Sequence, residues 1–387
     1  MTRPWGVCII DAMASPRVSP TDRAPGRPLG VEPLRFFLAW AFPLSIAWAA
    51  WRSPWAARAV ALAIQLALAL LERWPPLQRS PTALAGEGWS RWMPRGHVAI
   101  QLGLLGLGLS IAAQPQAHGG GLWAMVALGI GIGAVTGAQG ITFAHELGHS
   151  KSRVDRALAW GLMASVNYAH FMVEHYRGHH PRAATFDDPA SARRGESLWR
   201  FLPRTLAGSW RHAWALEAQQ RRQLGRSWWR SPLVWATLAQ AAWLVLLTTL
   251  WGVGALVFWC VQSAYAIFLL ETINYVEHYG LQRRERGGHG ERAEPFAMQH
   301  AWNADHWLTN CLLANLQRHS DHHLHAWKPY PTLEALPGPQ LPTGYAGCLF
   351  IAQVPRWWFA LMHARLDRLQ PDAGDGRSGI ALVETAP

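Results

Sequence analysis

Six apolar runs of membrane-spanning length place the tightest limit on how this chain of 387 residues can fold. They lie at about residues 34–51, 56–74, 97–113, 121–143, 232–251 and 254–275. Each run is close to the roughly 20 apolar residues that a helix needs to cross the hydrocarbon of a bilayer. Half of all residues are hydrophobic and 15% are charged, which is typical of membrane proteins. The sequence therefore predicts an all-α, polytopic membrane protein with about six transmembrane helices.

Basic residues are distributed unevenly between the segments that join these runs. The short loops at about 114–120 and 251–254 contain no Lys or Arg, whereas residues 75–96, 150–230 and both terminal regions are rich in them. The positive-inside rule then predicts that the basic segments and both termini lie in the cytoplasm. The net charge of +11 follows from those segments and favours anionic lipid head groups and an acidic protein partner. No nucleic-acid-binding motif accompanies the charge, so nucleic acid is a poor alternative.

Nine of the eighteen histidines fall into four clusters, each next to a predicted membrane helix. These clusters are His145 and His149; His175, His179 and His180; His278; and His319, His322 and His323. The first two histidines are one helical turn apart, so both rings can approach one ion from the same face. Neutral imidazole binds iron, zinc and copper, and nine rings exceed what one ion can hold. We therefore predict a site for two metal ions at the cytoplasmic surface of the membrane.

Helix ends are expected to deliver all of these ligands. The fourth apolar run leads directly into His145, and the sixth ends beside His278. A helix over 157–176 would return the second cluster to the same place, and a helix starting near Trp302 would carry the last. The other histidines lack such spacing and are predicted not to be ligands, with His300 and His306 nearest the site. Those expected elsewhere include His97, His118, His170, His212 and His363.

Carboxylates accompany the clusters and are candidates for a functional role. Each of four acidic residues neighbours a histidine in sequence: Glu146, Glu174, Glu277 and Asp321. Such a carboxylate can accept a proton from the far ring nitrogen of a ligand histidine and so fix its tautomer. The alternative is that these carboxylates are solvated or paired with a nearby arginine and have no role at the site. Glu271 lies within the sixth apolar run, where an ionisable group is costly, and is expected to point toward the site.

The chain divides into three predicted regions. Residues 1–32 are expected to form a disordered cytoplasmic arm without the features of a signal peptide, and residues 371–387 a flexible tail. Residues 33–370 then form one membrane domain. The cysteines are isolated, so no disulfide framework or CxxC motif is present: Cys8, Cys260, Cys311 and Cys348. Electrons for any redox reaction would therefore have to come from a separate protein.

Four segments of the chain resemble the integral-membrane alkane monooxygenases, or alkane 1-hydroxylases, which are relatives of the fatty acid desaturases and of xylene monooxygenase. The segments are HELGH from His145, EHYRGHHPRAATFDDPASARRGES from Glu174, NYVEHYGL from Asn274 and LQRHSDHH from Leu316. Desaturases typically have two residues between His and the HH pair of the second cluster, whereas this chain has three. The chain departs from the usual family pattern at Ser150 and Tyr176, and neither change removes a histidine.

The resemblance implies a non-haem centre of two iron ions that activates O2 with two electrons from a separate rubredoxin, itself reduced by rubredoxin reductase. One oxygen atom would enter the terminal methyl group of a linear alkane, giving a 1-alkanol. It also implies a multi-pass protein of the bacterial inner membrane. The identity of the metal as iron comes from this resemblance, because all-histidine coordination also suits zinc or copper.

Other functions remain open at this stage. A related enzyme could act on an alkyl-aromatic methyl group, a fatty acid or a terpene, as a hydroxylase or a desaturase. A metal transporter or storage protein would spread its histidines across membrane depth, and a zinc protease would use HELGH alone and leave seven clustered histidines unexplained. The preferred chain length of an alkane substrate would depend on how far an apolar channel runs between the membrane helices. Candidate side chains to end that channel are Phe36, Phe37, Trp40 and Trp48.

Overall fold

A computed structural model describes residues 32–74, 90–284 and 293–369 of the protein. Within these ranges the secondary structure is helical, and the single β-type contact is an isolated bridge between Asn303 and Gln340. The prediction of an all-α protein is therefore confirmed for the described residues. The predicted disordered arm, apart from Glu32, and the predicted flexible tail lie outside them.

Five helices of the described residues are long and apolar enough to cross a membrane. They are Leu34–Arg52, Pro54–Leu71, Trp92–Ala112, Gly121–Gly148 and Pro232–His278. The first combines a 3-10 segment, Glu32–Trp40, with α1, Ala41–Arg52. The next two are α2, Pro54–Leu71, and α3, Trp92–Ala112. The fourth joins α4, Gly121–Val135, to α5, Thr142–Gly148, through a π-helical turn, Thr136–Ile141.

The fifth candidate span contains the last two predicted membrane runs. This helix, α10, covers 47 residues from Pro232 to His278, and its backbone is non-helical at Gly252. Trp243 and Trp259 are in ring contact at 5.4 Å between centroids, although sixteen residues separate them. In a straight helix they would be about 24 Å apart. The chain therefore reverses at Gly252, and the two arms of α10 correspond to the fifth and sixth predicted spans.

Small residues allow the membrane helices to approach closely. A Cβ atom on Gly131 of α4 would lie 2.7 Å from the backbone of Ala57 in α2. A Cβ on Gly133 would lie 2.8 Å from the carbonyl oxygen of Gln262 in α10. Helix association within a membrane relies on such close packing, because lipid is as apolar as the side chains. The glycines of α4 thus place this helix against both α2 and α10.

The remaining helices form a cap over one end of the spans. Their bounds are α6, Arg153–Ser165; α7, Phe171–Glu174; α8, His180–Arg182; α9, Leu198–Leu224; α11, Trp307–Leu312; α12, His319–Leu324; α13, Tyr345–Ala352; and α14, Pro355–Leu369. A second π-helical turn, His175–His179, joins α7 to α8. We refer to these elements together as the cap.

Two predicted cap helices are interrupted in the structure. The helix expected over 157–176 is broken after α6, where Asn167 has a left-handed backbone with φ of 55°. The helix expected from Trp302 to the last histidine cluster is instead α11 and α12, separated by left-handed Ala314 and Asn315. Both predictions of a continuous helix were wrong. Hydropathy over a window does not detect these turns, although asparagine, present at positions 167 and 315, adopts the left-handed conformation more readily than most residues.

The reversal at Gly252 leads to a prediction about stability. Its φ of 77° and ψ of −175° fall in a region that is essentially restricted to glycine. Gly252→Ala should therefore lower the free energy of unfolding by about 1–3 kcal/mol. Thermal unfolding of the detergent-solubilised protein would measure this as a lower Tm.

Gly161→Ala provides the matched control for this prediction. Gly161 lies within α6, and nothing would lie within 4 Å of an added Cβ. Alanine in a helix interior is favoured over glycine, so this variant should keep or raise the Tm. An equal Tm for Gly252→Ala and wild type would contradict a chain reversal that depends on the glycine-specific backbone at position 252.

Candidate metal centre

The end of the fourth span presents the first two histidines. His145 lies in α5 and His149 caps its C-terminal end, where the backbone N–H of His149 donates to the carbonyl oxygen of His145. The two rings meet edge to face at 4.9 Å between centroids. Tyr176 donates a hydrogen bond to the same carbonyl at 3.0 Å and so connects this helix end to the second cluster. Both rings therefore face the cap.

The π-helical turn after α7 directs the histidines of the second cluster to two different positions. A π-helix pairs residues five apart in place of the four of an α-helix. His175 and His180 thus fall on one face, and their Nε2 atoms are 3.0 Å apart. The Nε2 atom of His180 is also 3.2 Å from that of His149. His179 is turned away from this set, so the local geometry sends the two adjacent histidines in different directions.

The remaining histidines come from α10 and α12. His278 is the last residue of α10, and its Nε2 atom is 3.1 Å from that of His319, the first residue of α12. His323, one turn further along α12, places its Nε2 atom 3.0 Å from that of His319. His322 points the other way and meets the ring of His145 at 4.4 Å between centroids. One short helix thus contributes to two sets of rings.

All nine predicted histidines are therefore brought together, in two groups. The first histidine group contains His145, His149, His175, His180 and His322. The second histidine group contains His179, His278, His319 and His323. Within each group, one nitrogen atom of every ring lies within 4.8 Å of the others. The groups adjoin where the rings of His180 and His323 are 4.6 Å apart between centroids.

The rings have the properties of metal ligands. The Nε2 atoms of His145 and His322 are buried and have no hydrogen-bond partner among the described residues. Burial lowers the pKa of His175, His180 and His322 well below its ordinary value, which favours the neutral imidazole that binds metals. Two sets of ring nitrogens, five and four in number, fit two metal ions and leave few positions for other ligands.

Asp188 is a carboxylate of this site that the sequence reasoning missed. Its Oδ2 is 2.9 Å from Nδ1 of His179, and it also accepts a hydrogen bond from Ser191 at 2.6 Å. Burial lowers the pKa of His179, but the adjacent Asp188 carboxylate outweighs that effect and raises it to about 9. Asp188 keeps the proton on Nδ1 of His179, and a bound metal ion would displace the proton from Nε2, the nitrogen on the far side of the ring from Asp188.

The loop around Asp188 explains why the sequence gave little sign of it. Asp188 is nine residues beyond His179 and returns to it through Ala184, which has a left-handed φ of 60°. The backbone N–H of Ala184 donates to Ser191, which stabilises this turn. The DDPAS segment suggests a turn, but it does not show which acidic residue faces a histidine.

The predicted carboxylates have different surroundings. Glu277 lies 3.2 Å from Nδ1 of His319 and accepts a hydrogen bond from Tyr345 at 2.6 Å. The other four have their described contacts outside the two groups: Glu146 with the backbone N–H of Tyr330, Glu174 with His212, Asp321 with His325 and Lys328, and Glu271 with Tyr168, Thr205 and Asn274. Adjacent residues of a helix do not face each other, so a carboxylate next to a ligand histidine in sequence points elsewhere.

The other described histidines lie outside both groups, as predicted. His300 is buried and its ring contacts Phe296, which stacks on His323 at 4.7 Å between centroids. It is thus close to the site without belonging to it. His306 also lies outside both groups, and its backbone N–H donates a hydrogen bond to the side chain of Gln317. His212 is bonded to Glu174 and His363 to the hydroxyl of Tyr279.

An apolar cavity between the membrane helices approaches the first histidine group. It encloses about 800 Å3, partly open to the outside, and its walls include Phe42, Ile64, Leu68, Thr142, Leu316 and Leu349. A smaller cavity lined by His145, Glu146 and His322 shares Thr142 and Leu316 with it. These two residues therefore separate the apolar space from the histidines. We refer to the larger space as the apolar cavity.

The side chains expected to end this cavity lie elsewhere. None of the four, Phe36, Phe37, Trp40 and Trp48, is among its lining residues. Phe36 packs edge to face against Tyr330 of the cap at 4.8 Å, and Trp48 is 63% exposed. This prediction was wrong because the apolar run shows which residues are in the membrane but not which face of the helix points inward.

Comparisons with known proteins agree with the histidine pattern. The sequence profile of the fatty acid desaturase family matches residues 121–346. Alkane 1-monooxygenase 1 of Pseudomonas aeruginosa is 38% identical over 297 residues, which are 76% of each chain. Alkane 1-monooxygenase 2 of the same organism is 42% identical over 61% of this chain and 63% of its own. The xylene/toluene monooxygenase hydroxylase component of Pseudomonas putida is 27% identical over 59% of this chain and 60% of its own.

The two groups predict the metal content of histidine variants. His322→Ala removes a ring from the first group and His319→Ala one from the second, so each variant should lose about one of two bound ions. Inductively coupled plasma mass spectrometry of the purified protein measures this content. His363→Ala, outside both groups, should retain both ions. A full metal content in both ligand variants would contradict the assignment.

The contact between Asp188 and His179 predicts a weaker metal site in Asp188→Asn. Loss of such a carboxylate partner typically lowers metal affinity about 10–100-fold. Titration against a competing chelator would measure the change. Asp187→Asn is the matched control, because Asp187 is the exposed neighbour of the same type. Equal affinities for the two variants would show that the contact does not support the metal.

Proposed function

Because the chain belongs to the alkane 1-monooxygenase family, within the fatty acid desaturase family of proteins, we propose that it hydroxylates linear alkanes at the terminal carbon to give 1-alkanols. One observation carries the proposal. The apolar cavity ends at Thr142 and Leu316, directly before the first histidine group. A chain whose methyl end enters that cavity first is held with this end nearest the metal.

The nine clustered histidines would hold two non-haem iron ions. When bound, this pair supplies an oxidant, formed from O2 and two electrons, that is strong enough to act on an unreactive methyl group. The protein itself supplies the geometry. Asp188 orients His179 through a hydrogen bond at Nδ1, and the Glu277 carboxylate lies 3.2 Å from Nδ1 of His319 without forming a hydrogen bond to it. The buried position of both groups excludes bulk water from the reacting end of the substrate.

The apolar cavity has the size and the lining that a hydrocarbon chain needs. Its narrow space, lined by Ile64, Leu68 and Leu349, suits an extended hydrocarbon chain better than a bulky ligand. Its wall is mostly aliphatic, so binding is driven by removal of apolar surface from water. A methylene contributes only about 0.8 kcal/mol, so the length of the cavity must do most of the discrimination between alkanes. Substrate would enter from the surrounding lipid.

Electrons would come from a separate rubredoxin, reduced in turn by rubredoxin reductase. Exposed basic side chains directly follow the first histidine cluster, at Lys151, Arg153 and Arg156. Such a basic surface favours an acidic electron carrier. By the positive-inside rule this surface, and with it the metal site, would lie on the cytoplasmic side, and the family favours the bacterial inner membrane as its location.

A second candidate substrate is the methyl group of an alkyl-aromatic compound. The similarity to the xylene/toluene monooxygenase component favours it over a fatty acid or a terpene. Product analysis by gas chromatography with alkanes and xylene side by side would separate the two. Hydroxylation of xylene with no turnover of n-alkanes would establish the alternative. Products with internal double bonds would indicate a desaturase.

The cavity geometry predicts a variant with altered chain-length preference. Ile64 lines the cavity one turn of α2 before Leu68, farther from the cap. Ile64→Trp should fill that end and shift the preferred n-alkane to a shorter chain by several carbons. Competition between alkanes of mixed length would measure the shift. Leu66→Trp, at a position that is 45% exposed and outside the cavity wall, should leave the preference unchanged.

The proposed electron carrier leads to a prediction about salt. NADH-driven turnover should need added rubredoxin and reductase, and its rate should fall as ionic strength rises from about 0.05 to 0.5 M, where screening shortens the Debye length below about 8 Å. A small uncharged reductant should give a rate that is independent of salt. A salt-independent rate with rubredoxin would contradict electrostatic docking, and NADH-driven turnover by the isolated chain would contradict the need for a partner.

A further inference from the structure

A second, polar cavity lies beside the two histidine groups. It has room for about one water molecule, and polar residues in its wall are Tyr168, His170, Glu174, Ser209, Glu271 and Asn274. His175 of the first group and His179 of the second also line it. None of these residues lines the apolar cavity. We refer to this space as the polar chamber.

His170 is the unexplained residue of the chamber. It is only 5% exposed, and neither of its ring nitrogens has a hydrogen-bond partner among the described residues. Its ring is held edge to face between Tyr168 and Trp210, at 4.2 and 5.1 Å between centroids. An unpaired buried polar group costs about 1–3 kcal/mol. A water molecule in the chamber would pair with one of these nitrogens, as donor or acceptor according to the tautomer of the ring.

Further polar groups continue from the chamber toward the surface. Glu271 accepts hydrogen bonds from Tyr168 at 2.7 Å and Thr205 at 2.8 Å, which hold its carboxylate in place. Glu174 lies 3.0 Å from Nδ1 of His212, and the side chain of His212 is 19% exposed. A short series of hydrogen-bonding groups therefore connects the partly exposed His212 with the wall of both histidine groups.

We propose that the polar chamber holds ordered water between His170 and Glu271, and that this water passes protons to the oxygen reduced at the metal pair. The inference rests on the proposed function, which requires such protons. O2, two electrons from the carrier, two protons and the alkane give one alkanol and one water. The O–O bond and one C–H bond break, while a C–O bond and O–H bonds form.

The apolar cavity cannot deliver these protons, because its mostly aliphatic wall offers few hydrogen-bonding partners for water. The polar chamber reaches the histidines through His175 and His179, whereas the space beyond the apolar cavity reaches them through His145 and His322. Substrate and protons would thus arrive at different sides of the metal pair. This separation keeps water away from the bound hydrocarbon.

The presence of water can be tested without turnover. Protein with 15N-labelled histidine, loaded with zinc in place of iron and placed in lipid bilayers, would be studied by solid-state NMR. A cross-peak between a ring nitrogen and water protons should be present in wild type, absent in His170→Phe and retained in His97→Phe. His97 is another buried histidine, packed against Phe143 outside the chamber. A spectrum without this His170 cross-peak would overturn the proposal.

The role in proton transfer is tested by kinetics. His170→Phe should lower kcat about tenfold or more and raise the solvent isotope effect, with an unchanged KM for alkane and unchanged iron content. His170→Gln, which restores polar atoms, should recover part of the rate, and His97→Phe should resemble wild type. An unaltered kcat and isotope effect in His170→Phe would overturn proton delivery. A wild-type protein that hydroxylates no alkane would contradict the proposed function, while the NMR result alone would still decide whether the chamber holds water.

Discussion

Nine imidazole rings must be buried together at one end of a membrane bundle, and this requirement determines the position of most neighbouring elements. A buried ring nitrogen without a partner is costly, so the arrangement is favourable only when metal ions bind the nitrogens. Spans end at the level of His145 and His278, and the cap returns His175 and His319 to the same place. The glycine-mediated packing of α4 on α2 and α10 keeps the span ends close enough for this convergence.

A π-helical turn and a regular α-helix each direct adjacent histidines to different ions. His179 and His180 are neighbours in sequence but belong to different histidine groups, and the π-helical turn that precedes α8 allows this. In α12, His322 and His323 diverge because successive helical residues point about 100° apart. π-Helical turns are rare and occur frequently at functional sites, as they do here.

Two cavities of opposite character meet the site. Aliphatic side chains surround the apolar cavity, whereas hydrogen-bonding groups surround the polar chamber. Both membrane and cap helices line each space, and the contrast follows from their residues: Leu68, Leu312 and Leu349 face the first space, whereas Glu174, Ser209 and Glu271 face the second. This division suits a reaction that combines a hydrocarbon with protons, because each component has a separate approach to the metal pair.

The sequence by itself determined the membrane class, the number of spans and the nine histidines, because hydropathy and metal-ligand spacing are local patterns of residue type. Tertiary structure decided which histidines share an ion and which carboxylates support them. Asp188 reaches His179 only through a left-handed turn, whereas Glu146 and Asp321 have their described hydrogen bonds outside both histidine groups. The inward face of each span was also undetermined, so Ile64 lines the cavity and Trp48 does not. These outcomes depend on helix rotation and loop geometry. Both bring together residues that are far apart in sequence, so they leave no local signal in it.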